Sequence, residues 1–83
     1  MKLLYFAWLR EKVGLADEQV PLPDNVATVG GLLDWLKERG AGHAEALEDL
    51  SAIRVAVNQE YAGPEVPIAD SDEVALFPPV TGG

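Results

Sequence analysis

The sequence predicts an α+β fold in which a mixed β-sheet packs against one main helix, with a short second helix beside it. Three observations support this: an apolar run of strand length at the start, one amphipathic helix in the middle, and an alternating strand near the end. A chain of 83 residues has room for one such domain. We therefore expect a folded domain over residues 1–77 and an extended tail over residues 78–83.

The first strand is predicted over residues 2–7, whose continuous apolar character is typical of a strand in the middle of a sheet. Residues 8–13 show the spacing of a short helix that Gly14 ends. Residues 18–22 alternate as a strand, and Pro21 lacks an amide proton, so this strand is expected at an edge of the sheet. The two strands would form a hairpin-like pair.

The main helix is predicted to begin after Thr28, whose hydroxyl can cap it, and to end near Gly40. Its apolar residues repeat with helical spacing: Val29, Leu32, Leu33 and Leu36. A weaker helix is expected over residues 43–50, with Leu47 and Leu50 on one apolar side. His43, the single histidine, is interpreted as a surface residue at its start.

The second half of the chain predicts three more strands. Apolar residues alternate over residues 53–57, and Asn58 and Gln59 then predict a turn into a short strand around Tyr61. The last strand is expected over residues 73–77. This order of elements resembles the β-grasp, or ubiquitin-like, fold, which implies that the first and last strands run parallel at the centre of the sheet.

Composition excludes several classes of function. Six Lys and Arg against 14 Asp and Glu give a net charge of −8, so nucleic acid and anionic membranes are not expected as partners. With no Cys and one His, disulfides, a cysteine nucleophile and a metal site are not expected. The longest apolar run, residues 3–9, is far shorter than the roughly 18 residues of a membrane-spanning helix. We expect a cytoplasmic protein.

The predicted tail, residues 78–83, begins with two prolines, which are stiff, and ends in two glycines, which have no side chains. Pro78 and Pro79 favour an extended backbone, and six residues at about 3.1–3.4 Å each can carry a carboxylate about 19–20 Å from the sheet. Gly82 and Gly83 have no side chains, so they can pass through a narrow channel in another protein. Attack of the terminal carboxylate on ATP would give an acyl adenylate, which a sulfur nucleophile can convert into a thiocarboxylate. The alternative is an inert, frayed tail.

Three stretches carry a resemblance to a known family: Leu4-Tyr5-Phe6-Ala7, Ala56-Val57-Asn58-Gln59, and residues 72–83, which end in Phe-Pro-Pro-Val-Thr-Gly-Gly. Over nearly its whole length the chain resembles the small, sulfur-carrying subunit of molybdopterin synthase, the MoaD type. One departure is Ser71, where such proteins commonly have Gly, and it puts the geometry of that turn in question.

The resemblance implies a cycle in which other proteins perform the chemistry. An E1-like adenylating enzyme of the MoeB type would adenylate Gly83 with ATP and Mg²⁺, and a sulfur-delivery enzyme would form the thiocarboxylate. The large synthase subunit, of the MoaE type, would bind the carrier in a heterotetramer and pass its sulfur to cyclic pyranopterin monophosphate. Two such transfers would build the dithiolene of molybdopterin. No cofactor would be bound permanently to this chain.

The resemblance also implies the site residues. Gly83 would carry the reacting group and Gly82 would let the tail thread, while Arg10 would contact the activating enzyme. An apolar patch for both partners would be formed by Phe6, Tyr61 and Phe77, and the tail contacts by Pro78, Pro79, Val80 and Thr81. Strand alternation supports the patch, because Val74 and Leu76 take the core side and leave Phe77 outward. Ordinary core packing of the aromatic rings is the alternative.

Other functions remain open for a chain of this kind. The rivals are a thiamine-pathway sulfur carrier, a ubiquitin-like modifier joined through Gly83 to lysine, and an acidic binding module with an inert tail. The Pro-Pro pair before the end favours the molybdopterin interpretation over the thiamine one.

Overall fold

The computed structural model describes residues 1–79 as a five-stranded sheet with helices. The elements in chain order are β1 (Lys2–Tyr5), α1 (Trp8–Val13), β2 (Asp17–Gln19), α2 (Val29–Lys37), α3 (Ala41–Ala46), a 3₁₀ turn (Leu50–Ala52), β3 (Arg54–Val57), β4 (Glu60–Tyr61) and β5 (Glu73–Phe77).

The strand order across the sheet is β2-β1-β5-β3-β4. The two central strands, β1 and β5, run parallel, and every other neighbouring pair is antiparallel. This is the predicted mixed sheet of the β-grasp fold, with the first and last strands side by side at its centre. The position of β2 at an edge also agrees with the prediction, although β2 ends at Gln19, before Pro21.

The core lies between the inner face of the sheet and α2. The Thr28 hydroxyl accepts a hydrogen bond from the Gly31 amide at 3.2 Å, which starts α2 as predicted. Leu32 and Leu36 of this helix have no exposed surface, and neither do Leu3, Leu9, Val74 and Leu76. Burial of these side chains is the main favourable contribution to folding.

The N-terminus of α2 packs closely against the loop that precedes β5. The Gly30 amide donates to the Pro64 carbonyl at 2.9 Å, and a Cβ at Gly30 would lie only 3.2 Å from that oxygen. A side chain here would therefore push the loop away from the helix. Gly30 is thus needed because α2 approaches this loop closely.

The second helix differs from the prediction. It spans Ala41–Ala46 rather than residues 43–50, because Asp49 accepts a hydrogen bond from the Ser51 amide at 3.0 Å and starts a separate 3₁₀ turn. Leu47 is buried as expected, but Leu50 is 39 % exposed, so the two do not share a buried side. None of the helices within residues 1–79 is long and apolar enough to cross a membrane.

The turn around Ser71 forms without glycine. The Asp72 carboxylate accepts from the Ala69 amide at 2.8 Å, and the Asp72 amide donates to the Ala69 carbonyl at 3.0 Å. Ser71 is not among the residues with positive φ. Ser71, in place of the Gly that is common in the family, therefore does not prevent this turn from forming.

Candidate functional site

The central strand β5 leads to the predicted tail. It pairs with β1 on one side and β3 on the other up to its last residues, and Pro78 and Pro79 follow half-buried. Because neither proline has an amide proton, the sheet ladder cannot continue through them. Val80, Thr81, Gly82 and Gly83 lie outside the described residues, so their predicted roles stay predictions.

The outer face of the sheet is largely apolar in the part nearest this exit, where Arg54, the register partner of Phe77, adds one exposed cation. Register places Leu4, Ala75, Ala56 and Tyr61 in one row across four strands. The charged pair Lys2 and Glu73 lies at the far end of β1 and β5. Apolar surface is therefore concentrated on the half of the outer face from which the chain leaves β5.

An aromatic patch, which we define as Phe6, Tyr61 and Phe77, lies on this half. Tyr61 and Phe77 have ring centroids 5.7 Å apart, and Phe6 extends β1, its amide donating to the Leu76 carbonyl at 3.1 Å. Phe6 is 48 % and Tyr61 75 % exposed. Phe6 and Tyr61 are therefore not core residues, and the alternative of core packing is wrong for both. Phe77 is half-buried on the outer face beside them. Large exposed apolar groups placed together are typical of protein interaction sites.

A strained residue sets the position of Phe6. Ala7, between β1 and α1, has φ 55° and ψ −132°, a conformation that residues with a Cβ rarely adopt. The sharp bend lets Phe6 point outward while Leu9, three residues later, is fully buried. Arg10 is exposed on α1 just beyond the bend. Its contact with an activating enzyme stays a prediction.

A polar cluster that the sequence analysis did not predict lies at the β2 edge of the sheet. Glu18 of β2 accepts from the Tyr5 hydroxyl at 2.6 Å and from the Arg39 guanidinium at 3.0 Å. His43 Nε2 lies 2.9 Å from the same carboxylate, and the His43 ring packs edge-on against Tyr5. His43 is thus a structural residue between α3 and the sheet, which corrects its interpretation as a surface residue.

The cluster holds Glu18 as a carboxylate. Burial raises the pKa of Glu18, but hydrogen bonds from His43 and Tyr5 and the charge of Arg39 outweigh it, so its pKa is below the usual value. Burial and the hydrogen bond to Glu18 raise the pKa of Tyr5 well above its usual range. These groups fasten β2 to α3 and to the turn that follows α2.

Residues 1–79 contain no group of three or more His, Cys, Asp and Glu side chains that could hold a metal ion. No buried side-chain polar atom among the described residues is without a hydrogen-bond partner. The described part of the chain therefore shows no candidate metal site. Its distinctive surface is the aromatic patch beside the exit of β5.

The strand order and the helices packed on one face of the sheet define a small protein of the ubiquitin-like, β-grasp class. The chain matches the ThiS family model over residues 3–83. It belongs to the ThiS family, and the resemblance seen in the sequence is confirmed.

Similar proteins cover the whole chain. The molybdopterin synthase sulfur carrier subunit of Escherichia coli is 41 % identical over 83 residues, which are 100 % of this chain and 99 % of that protein. The subunit of the same name from Haemophilus influenzae is 37 % identical with the same coverage.

Solved structures agree with this fold. SAMP1 of Haloferax volcanii matches with a TM-score of 0.74 and 38 % identity, over 100 % of this chain and 98 % of that one. A putative molybdopterin converting factor, subunit 1, from Pyrococcus furiosus matches with a TM-score of 0.79 and 32 % identity, over 95 % of each chain.

Proposed function

We propose that this chain is the sulfur carrier subunit of a molybdopterin synthase and that its Gly83 carboxyl group carries the sulfur. The observation that carries the proposal is the full-length similarity to proteins of that name, at 41 % identity in the Escherichia coli case. The aromatic patch beside the exit of β5 supports it, because a carrier must be held by the protein that receives its tail.

The chemistry takes place at the terminal carboxyl group. Gly83 attacks the α-phosphate of ATP in the activating enzyme, pyrophosphate leaves, and an acyl adenylate forms. A sulfur nucleophile from the sulfur-delivery enzyme then displaces AMP, which leaves a thiocarboxylate. In the synthase the sulfur passes to cyclic pyranopterin monophosphate, and water restores the carboxylate. ATP and Mg²⁺ act in the activating enzyme, so this chain needs no resident cofactor and works in the cytoplasm, where ATP is available.

The remaining predicted residues position this group. The aromatic patch of Phe6, Tyr61 and Phe77 binds the activating enzyme and the large subunit in turn, and Arg10 adds a contact to the activating enzyme. Pro78 and Pro79 direct the tail away from the sheet, Val80 and Thr81 contact the channel of the partner, and Gly82 lets the end thread through it.

Deletion of Gly83 tests the proposal. With purified activating and sulfur-delivery enzymes and ATP, the intact wild-type chain gains the mass of one oxygen-to-sulfur exchange, whereas the truncated chain does not. Molybdopterin formation with the large subunit is lost in parallel. The melting temperature of the truncated chain stays at the wild-type value, because Gly83 lies beyond the hydrogen-bonded strand β5.

A matched variant separates the carboxylate from its position. Adding one Gly after Gly83 keeps a terminal carboxylate but moves it along the channel, so sulfur donation falls although the fold is unchanged. Molybdopterin formation at the wild-type rate by the truncated chain contradicts the proposal. A ladder of conjugated proteins in place of the mass exchange identifies a modifier instead, and rescue of thiamine synthesis alone identifies a thiamine-pathway carrier.

A further inference from the structure

A groove of about 700 Å³ borders the exit of β5 on the side of the molecule that carries α2. Buried side chains of α2 and β3, including Val29 and Val55, line its apolar interior. Leu50, Arg54, Tyr61 and Pro79 also line it. Leu50 is 39 % exposed, which is unusual for a leucine beside such an apolar interior.

We propose that this groove is a second binding site for the large synthase subunit, filled by an apolar segment of that subunit that carries a carboxylate for Arg54. The inference rests on the proposed function and extends it from the tail and the aromatic patch to the adjoining groove.

The groove is continuous with the two surfaces already argued to meet that subunit. Tyr61 belongs both to the aromatic patch, where its ring lies 5.7 Å from Phe77, and to the groove. Pro79, which leads into the tail, lines the groove as well. A protein that holds the tail and covers Tyr61 in a lasting assembly, as a subunit does and a transiently bound enzyme need not, therefore passes over the groove.

The area needed for a lasting assembly points the same way. A standard specific interface buries about 800 Å² on each partner. An aromatic side chain supplies about 150–250 Å² at most, and Phe6 and Tyr61 are only 48 % and 75 % exposed. The three rings of the patch fall short of that area, so the contact extends along the tail and onto bordering apolar surface.

Charge selects the occupant. Within residues 1–79 the Arg54 guanidinium has no carboxylate at ion-pair distance, and its Nη1 donates only to the carbonyls of Ile53 at 3.2 Å and Ser51 at 3.5 Å. Arg54 is one of six Lys and Arg residues in a chain with 14 acidic ones. An apolar segment with one acidic side chain thus matches both the groove and its cation.

A pair of leucines gives the test. Leu50 lines the groove and Leu15 lies away from it between α1 and β2, yet their exposures are close, 39 % and 45 %. Titration calorimetry of the full-length chain with the purified large subunit measures Kd for Leu50→Glu and Leu15→Glu. We expect Leu50→Glu to weaken binding at least tenfold and Leu15→Glu to change it less than twofold.

Charge reversal provides an independent measurement should Leu50→Glu prove unfolded. Arg54→Glu should also weaken binding at least tenfold, while Lys12→Glu, which changes the net charge equally on α1, should not. The Arg54 side chain is exposed and, within residues 1–79, donates only to backbone carbonyls. Because register places Arg54 opposite Phe77, the substitution is also made in a Phe77→Glu background, where a further loss of at least tenfold belongs to the groove.

The possible results distinguish failure of the groove proposal from failure of the proposed function. Sulfur loading of Gly83 by the activating enzyme should proceed at the wild-type rate in all four variants. Wild-type affinity of Leu50→Glu and Arg54→Glu for the large subunit overturns the groove site while wild-type sulfur donation still supports the carrier function. Slower loading with unchanged affinity for the large subunit also overturns it, since the groove would then serve the activating enzyme. Tighter binding of Leu50→Glu overturns it in favour of a groove that holds the chain's own tail.

Discussion

The two faces of the central sheet differ in what covers them. On β5, Val74 and Leu76 point inward and have no exposed surface, whereas Ala75 and Phe77 point outward and are half-buried. The helices pack on the inner side, and the described residues place no helix over the aromatic patch. Because adjacent residues of a strand face opposite ways, one strand places one set of side chains in the core and leaves the other set on the outer face, where we propose that it binds a partner. Substitutions one residue apart should therefore have different effects.

The largest effect is expected on the inner face. Leu76→Ala removes a fully buried side chain and leaves a cavity between the sheet and α2, so the free energy of unfolding should fall by about 3 kcal/mol. Urea denaturation measures the change. Leu15→Ala, at a leucine that is 45 % exposed, is the control and should change stability by less than about 0.5 kcal/mol. Similar losses in both variants would show that burial in the core does not set the cost of losing a leucine side chain.

On the outer face the effect should appear in binding. Phe77→Glu places a charge within the aromatic patch, and we expect Kd for the large subunit to rise at least tenfold, about 1.4 kcal/mol. The melting temperature should fall much less than in Leu76→Ala. Glu73→Ala, at the other end of the same face of β5, should leave Kd nearly unchanged. A loss of stability as large as that of Leu76→Ala would place Phe77 in the core.

The polar cluster at the β2 edge predicts a pH-dependent stability. Because the folded state lowers the pKa of Glu18 below its usual value of 4.5, the ionised carboxylate stabilises the protein above pH 4.5, and that contribution is lost as pH falls through the lowered pKa. At pH 7 we expect Glu18→Gln to cost about 1–2 kcal/mol, since three hydrogen-bond donors lose a charged acceptor.

Urea midpoints measured from pH 7 to pH 3 test this. The difference between wild type and Glu18→Gln should shrink as the pH falls. Glu48→Gln, at an exposed glutamate, should show no comparable pH-dependent difference. A difference between wild type and Glu18→Gln that stays constant down to pH 3 would show that the carboxylate charge is not what stabilises the cluster.

The smallest effect is expected at Ala7, in the bend between β1 and α1. Ala7→Gly should stabilise the protein by about 1 kcal/mol or less, because glycine adopts positive φ without a Cβ clash but loses more entropy on folding. Ala44→Gly, in the exposed side of α3, should instead destabilise by about 1 kcal/mol. Equal destabilisation in both variants would show that Ala7 is not strained.

Local patterns predicted much of this molecule. Alternation in residues 73–77 placed Leu76 inward and Phe77 outward, and helical spacing after Thr28 predicted α2. Both signals repeat within a few residues, so a single sequence contains them. The edge position of β2 followed from the missing amide of Pro21, which is equally local.

What was missed depends on contacts between distant residues. Glu18 lies in β2, Arg39 in the turn after α2 and His43 in α3, and nothing near any one of them in sequence indicates the others. Leu50 looked like part of an apolar helix face, but the turn that Asp49 starts exposes it. The strain at Ala7 also escaped prediction, since alanine carries no signal for positive φ. The tail residues from Val80 onward remain predictions.

The parallel pairing of β1 with β5 has a mechanical consequence. A partner that pulls on the C-terminal segment pulls along the axis of a strand that is hydrogen-bonded on both sides. Force in that direction loads all of those hydrogen bonds together, in shear, whereas force across the strand axis would break them one at a time. The strand that leads to the C-terminal segment can thus bear a pull along its axis without separating from the sheet.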